Sequence, residues 1–285
     1  MDVLVNLVGR LPRPWLKAIA RLQWRHPLLK LGFEWAANQF RNQDSVIQQG
    51  IGKGLRFNVG NSHAGYQLGT TEPAMQAAIK ELLQPNMTFY DIGANVGFFS
   101  IIAAHLSGGT VVCFEPLAEN VHYIKHNAAL NHLSNILIRS EALGCEDGDA
   151  IFNVSAVSSW GKLATVGEPT QKIRDITVPL RRLDTSIRES NLPQPELIKI
   201  DVEGAEVDVL VGARETLLTH RPILLVELHG TNEAVARELA EVGYQCHVLG
   251  STASPTESPW DAQVLAVPNE RSDLESIVVK LTHSI

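Results

Sequence analysis

Cysteine is scarce in this chain, with three in 285 residues, at positions 113, 145 and 246. They are odd in number and far apart, and Cys113 and Cys246 lie in apolar runs. That excludes a disulfide framework and reads as buried thiols in a reducing compartment. No Cys/His pair has metal-type spacing. Long apolar runs are missing too. The longest uncharged stretch, 92–114, holds four glycines, Asn95 and His105, and divides into turn, helix and strand rather than a bilayer span. The apolar VLVNLVG near the start follows Asp2 and leads to no convincing cleavage site, which argues against a signal peptide. Basic charge is short as well: 24 Lys and Arg against 31 Asp and Glu give a net charge of -7. Bulk attraction to nucleic acid is excluded.

What remains is a chain of 45% hydrophobic residues, enough for one large domain with a modest extension, and its alternating strand and helix patterns predict an α/β fold with a parallel sheet covered on both faces. Its charge is uneven. Residues 1–56 hold nine Lys and Arg against three Asp and Glu, a net of +6, and the rest carries -13. Three of the five tryptophans, Trp15, Trp24 and Trp35, fall in residues 11–43 among Arg13, Lys17, Arg21, Arg25 and Lys30. This pattern predicts one or two basic amphipathic helices in an N-terminal extension, residues 1–60, ahead of a main domain, residues 61–285. Such helices suit either packing on the main domain or peripheral contact with the inner face of a membrane. The expected location is cytoplasmic.

The most informative stretch is TFYDIGANVGFFS, residues 88–100. A short apolar strand runs into a glycine-rich turn and then a helix, a shape that brings backbone N–H groups against a cofactor. The spacing Gly93-Ala-Asn95-Val-Gly97, followed by two phenylalanines, lacks the third glycine of a dinucleotide fingerprint. Asp91 at the mouth of the loop would repel a pyrophosphate and attract an ammonium group. Glu115, at the end of the next apolar run, is placed for a ribose diol. S-Adenosylmethionine (SAM) fits both charges, whereas NAD fits one. Glu141 and Ala142, at the end of the third strand, are expected along an adenine edge.

Two later strands also end in acids. LIKIDVEGAE puts Asp201, Glu203 and Glu206 beyond the fourth strand, and LLVELHG puts Glu227 and His229 at the end of the fifth. In an open α/β sheet these ends face the cofactor loop. Residues 227 and 229 should point the same way on a strand, so that the carboxylate fixes the imidazole. Asp201, Glu227 and His229 are therefore the expected catalytic residues for taking a proton from a hydroxyl. Alternatively, Asp201 and Glu203 hold a divalent cation that acidifies it. Glu206 reads as a helix-dipole acid. The polar region 151–180 reads as a hairpin, and Ser251–Pro259 as a surface loop.

YDIGANVGFFS, CFEP, IKIDVEGAE and ELHG, in this order and at these intervals, resemble the FkbM family of SAM-dependent methyltransferases. GYQLGTTEP and SSWGKL are similar to that family as well, so the likeness covers roughly residues 65–250. It implies a class I, Rossmann-like, mostly parallel seven-stranded sheet whose last two strands pair antiparallel. It also implies O-methylation of a saccharide or natural-product hydroxyl. Methylation of nitrogen or RNA, and a SAM-binding regulator without turnover, are the alternatives. Residues 1–60 inherit nothing from the likeness.

Overall fold

The computed structural model describes residues 42–63, 65–156, 160–169 and 171–283. The basic helices expected within 11–43 and most of the 1–60 extension lie outside the described residues. Along the chain the elements are β1 (Ser45–Val46), β2 (Arg56–Phe57), α1 (Gly65–Leu68), α2 (Pro73–Leu82), β3 (Phe89–Ile92), α3 (Phe98–Ser107), β4 (Val111–Phe114), α4 (Ala118–Leu130) and β5 (Ile136–Arg139). They continue with β6 (Ala142–Leu143), β7 (Gly148–Ser155), β8 (Lys162–Leu163), β9 (Lys172–Arg181), α5 (Leu183–Ser190), β10 (Leu197–Ile200), α6 (Glu206–Gly212) and α7 (Arg214–His220). The last are β11 (Ile223–Glu227), α8 (Asn232–Glu241), β12 (Tyr244–Val248), β13 (Gln263–Pro268) and α9 (Glu275–His283).

FYDI, VVCF and LIKI are apolar enough to be buried on both faces, which suits central strands of a parallel sheet. Seven strands order as β12-β13-β11-β10-β3-β4-β5. Only β13 runs against the others, pairing antiparallel with both β11 and β12. Alternation splits each strand between two cores. Phe89, Val111, Leu197 and Leu225 pack beneath α2, α3, α4 and α9. Tyr90, Val112, Ile198 and Leu224 pack against α5, α6, α7 and α8.

Two features differ from expectation. Ile47, Leu55, Phe57 and Val59 are buried in the first core, so the main domain begins well before residue 61. The polar region is not a lone hairpin but part of a second sheet, ordered β6-β9-β7-β8, with its own small core. The chain after β10 forms two short helices, α6 and α7, and the break falls where it crosses the end of β6. A Cβ on Gly212 would lie 2.0 Å from the Gly144 carbonyl oxygen, so only glycine lets the two backbones pass.

Candidate active site

The turn after β3 is held by its neighbours. Gly93 has φ 78°, and a Cβ there would sit 1.8 Å from the Asp201 carbonyl oxygen. The glycine loop therefore rests directly on the end of β10. Asn95 follows in the left-handed region at φ 51°. Its N–H donates to Glu115 Oε2 at 2.9 Å, and the Leu117 N–H donates to Oε1 at 2.9 Å. One carboxylate thus ties the loop of the first strand to the end of the second. Burial pushes Glu115 up to about 7, against the lowering effect of these N–H donors and Asn120.

Beside this carboxylate lies a cleft whose empty space, open solvent included, is about 650 Å³. Gly93, Asn95, Glu115, Glu141, Ala142, Asp201 and Glu203 line it, all residues expected from the sequence. Phe152 and Leu163 of the second sheet, with Gly161 just before β8, close one wall. Glu141 is engaged by Arg139 Nη2 at 3.0 Å and by Ser186 Oγ at 2.6 Å. Gly97 begins α3 and is not part of the lining.

Asp91 lies lower than expected. It is 1% exposed, accepts from Ser100 Oγ at 2.5 Å, and places Oδ1 3.7 Å from Lys199 Nζ. It therefore does not reach the cavity, and direct contact with a cofactor ammonium is corrected to a charge one layer below the loop. Burial raises the Asp91 carboxyl, with Lys199 and Ser100 opposing. Lys199, in the middle of LIKI, joins Asp91 to Asp201, a link that sequence reasoning passed over. The signal was there: one lysine in a wholly apolar strand has to find carboxylates. Its ammonium also donates to Asp201 Oδ2 at 2.9 Å.

Next to the cavity the acids gather around Asp201. On one side stand Glu203 and His229, each offering an atom within 4.8 Å of an Asp201 oxygen and of each other. On the other stand Glu227 and Glu72, within the same span of Asp201. Gln263 Nε2 bridges these last two carboxyls at 3.2 Å from each. Burial and then the Glu227 charge hold the Glu72 carboxyl well above the usual range. Glu72 precedes α2 at φ 47°, and Glu203 sits at φ 55°. With Asn95, three non-glycine residues around the site occupy the left-handed region, a costly backbone state that clusters where function dictates position.

The expected Glu227–His229 pair is replaced by another. β11 ends at Glu227, and the imidazole turns instead to Glu206, with Nδ1 2.9 Å from Oε1. Glu206 is fully buried, and it also accepts from Thr231 Oγ1 at 2.8 Å and from the Gly204 N–H at 2.8 Å. It stands in the first turn of α6, as expected of a helix-dipole acid, and also anchors the imidazole. No period-based signal could show this second role, because the pairing is tertiary. Burial draws the His229 imidazole down, but the Glu206 hydrogen bond and the Asp201, Glu206 and Glu203 charges outweigh it and raise it to about 9. Burial and then Asp201 push Glu203 up to about 7.

A sheet of this order, with a cavity over the ends of β3 and β4 and a polar cluster beyond β10 and β11, is the architecture of class I methyltransferases. The model of the methyltransferase FkbM domain matches residues 91–246, and the chain belongs to that family. Among curated relatives, the hexuronic acid methyltransferase AglP of Haloferax volcanii is 26% identical over 140 residues, 49% of this chain and 55% of AglP. The 2-O-methyltransferase NoeI of Sinorhizobium fredii is 25% identical over 190 residues, 61% of this chain and 77% of NoeI. The chain spans between 10% and 56% of the length of three of the curated relatives it matches. A crystal structure of a methyltransferase FkbM from Methylobacillus flagellatus aligns with a TM-score of 0.44 at 16% identity, over 71% of this chain and 52% of that one.

Proposed function

We propose that this chain transfers the methyl group of SAM to a hydroxyl of a saccharide or natural-product acceptor. The observation that carries the reading is the Glu115 carboxylate. It is fixed by two backbone N–H groups at the rim of the cleft, at the end of the second parallel strand, where a carboxylate can accept from a ribose diol. Gly93, Asn95 and Gly97 shape the loop against the methionine part, with Asp91 beneath it. Glu141 and Ala142 border the adenine.

The acceptor enters from the side of Asp201, Glu227 and His229. There the hydroxyl attacks the methyl carbon in line, its proton passes to a carboxylate of the cluster, and the C–S bond breaks with its electron pair on sulfur. Much of the rate comes from holding the two reactants together. Trp260 is 64% exposed, and its ring centre lies 6.1 Å from that of His229. A flat apolar face beside the transfer point suits a sugar ring; the 2-O-methyltransferase NoeI favours an oxygen acceptor and the hexuronic acid methyltransferase AglP a saccharide one.

Calorimetry with SAM, S-adenosylhomocysteine and NAD tests the cofactor. Binding of the first two and not the third is expected, and preference for NAD overturns the reading. Labelled methyl transfer to a panel of glycosyl acceptors tests the reaction. A SAM binder with no turnover on any acceptor would be a regulator.

The pH dependence follows from Glu115. An acid raised to about 7 is ionised only above that pH, and the ionised form is the better acceptor for ribose hydroxyls. SAM affinity is therefore expected to rise about tenfold between pH 6 and pH 8, tracking the ionised fraction. Glu115→Gln should flatten this profile. A flat profile in the unaltered protein would remove Glu115 from the ribose.

The basic, tryptophan-bearing segment supplies electrostatic attraction and interfacial anchoring for an anionic membrane or a lipid-linked acceptor. Each engaged basic residue contributes about 1 kcal/mol near such a surface. Because Ile47 and Phe57 belong to the core, a truncation should stop at residue 41. Removing residues 1–41 is expected to abolish co-sedimentation with anionic liposomes while SAM binding persists. Unfolding of the truncated chain would assign the segment to packing. Among the described residues, no helix is long and apolar enough to cross a membrane.

A further inference from the structure

The arrangement around His229 resembles half of a coordination sphere. Its side chain is 9% exposed, and Nδ1 is held by the fully buried Glu206, which orients the ring. Nε2 has no hydrogen-bond partner among the described residues. It points between two carboxylate oxygens, Asp201 Oδ1 and Glu203 Oε2, each 3.9 Å away. These separations are too long for hydrogen bonds. They come near the spacing of neighbouring ligands on one ion, since donor distances of about 2.0–2.2 Å place such atoms about 3–3.6 Å apart, and the side chains close in by a few tenths of an ångström when the ion binds. Lys199 occupies the other Asp201 oxygen, which leaves Oδ1 committed to the gap. Glu203 is held there by a left-handed backbone.

We infer that Asp201, Glu203 and His229 bind one divalent cation, with Glu206 as the positioning residue behind the imidazole. Two carboxylates and one imidazole, with room for water or an acceptor oxygen, suit Mn²⁺ or Mg²⁺ better than a thiolate-seeking metal. A buried carboxylate on the far nitrogen of a histidine ligand is the usual support of such a site.

The inference rests on the methyltransferase reading and gives the ion a role in it. The acceptor hydroxyl coordinates the cation and loses its proton to the Glu227 carboxylate, and its oxygen forms the C–O bond. The C–S bond of SAM breaks, and the sulfonium becomes a neutral thioether. The ion stays divalent throughout.

The test is a titration of the full chain with Mn²⁺, followed by electron paramagnetic resonance, beside calorimetry with SAM on the same sample. One ion per chain is expected, with nitrogen modulation in the pulsed spectrum that disappears in His229→Ala. Glu206→Gln, nearly isosteric and able to fold where the alanine variant does not, should weaken Mn²⁺ binding about 10–100-fold. Activity lost to a chelator should return with Mn²⁺ or Mg²⁺. If SAM binds but millimolar Mn²⁺ does not, the ion site is overturned and the methyltransferase reading stands. Mn²⁺ that binds without nitrogen modulation, or equally well in Glu203→Gln and Glu206→Gln, also overturns it, because the ion then lies elsewhere. Failure to bind SAM at all overturns the methyltransferase reading instead.

Discussion

Replacing His229 with alanine, or Glu227 with glutamine, is expected to lower turnover by about 10²–10⁴-fold, the scale of positioned proton transfer, while leaving SAM affinity close to that of the unaltered protein. The separation follows from where the residues stand. Neither lines the cavity assigned to the cofactor, and they flank Asp201 from its two sides. Steady-state kinetics with saturating SAM, paired with calorimetry, reads the two quantities independently. Equal losses in turnover and affinity would show that these residues brace the fold and do not serve the reaction.

Gly93→Ala should be among the most damaging single methyl additions in the described residues. At φ 78° an L-residue pays a left-handed penalty of about 1–2 kcal/mol. The new Cβ would also meet the Asp201 carbonyl oxygen at 1.8 Å, which forces the loop and β10 apart. Overpacking of that kind costs about 1–3 kcal/mol more. A loss of about 2–5 kcal/mol is expected, together with loss of SAM binding, because the displaced backbone belongs to both the loop rim and the acid cluster. Gly108→Ala is the matched control. Gly108 has φ 65° but nothing within 4 Å of its Cβ position, so it should show the backbone penalty alone. Thermal melting of the two variants checks this, and equal effects would show that the close contact carries no weight.

Much of the α/β sheet was legible because central strands announce themselves. Four-residue apolar runs ending in glycine or an acid left little choice for β3, β4, β10 and β11. The rim residues Gly93, Asn95 and Glu115 were legible for the same reason, since a strand end fixes where its next residue lies. Other features depend on contacts between distant segments. The second sheet was hidden because β7 and β9 are only partly apolar, and their pairing closes over an intervening loop. The Glu206–His229 bond joins a helix start to a strand end 23 residues apart, and Glu72 reaches Gln263 across 191. Asp91 was read from its position at the strand end, but its depth was set by Ser100 and Lys199, which no local pattern reveals.

The three left-handed residues, Glu72, Asn95 and Glu203, also bear on how this protein would respond to selection for heat resistance. Glycine at any of them would relax the backbone and remove a side chain that faces the cofactor loop or the acid cluster. Screens that reward melting temperature alone would drift toward those substitutions and select against the reaction. A thermostable descendant that keeps its activity must find its gains elsewhere, on the outer helices or in the loops far from Asp201.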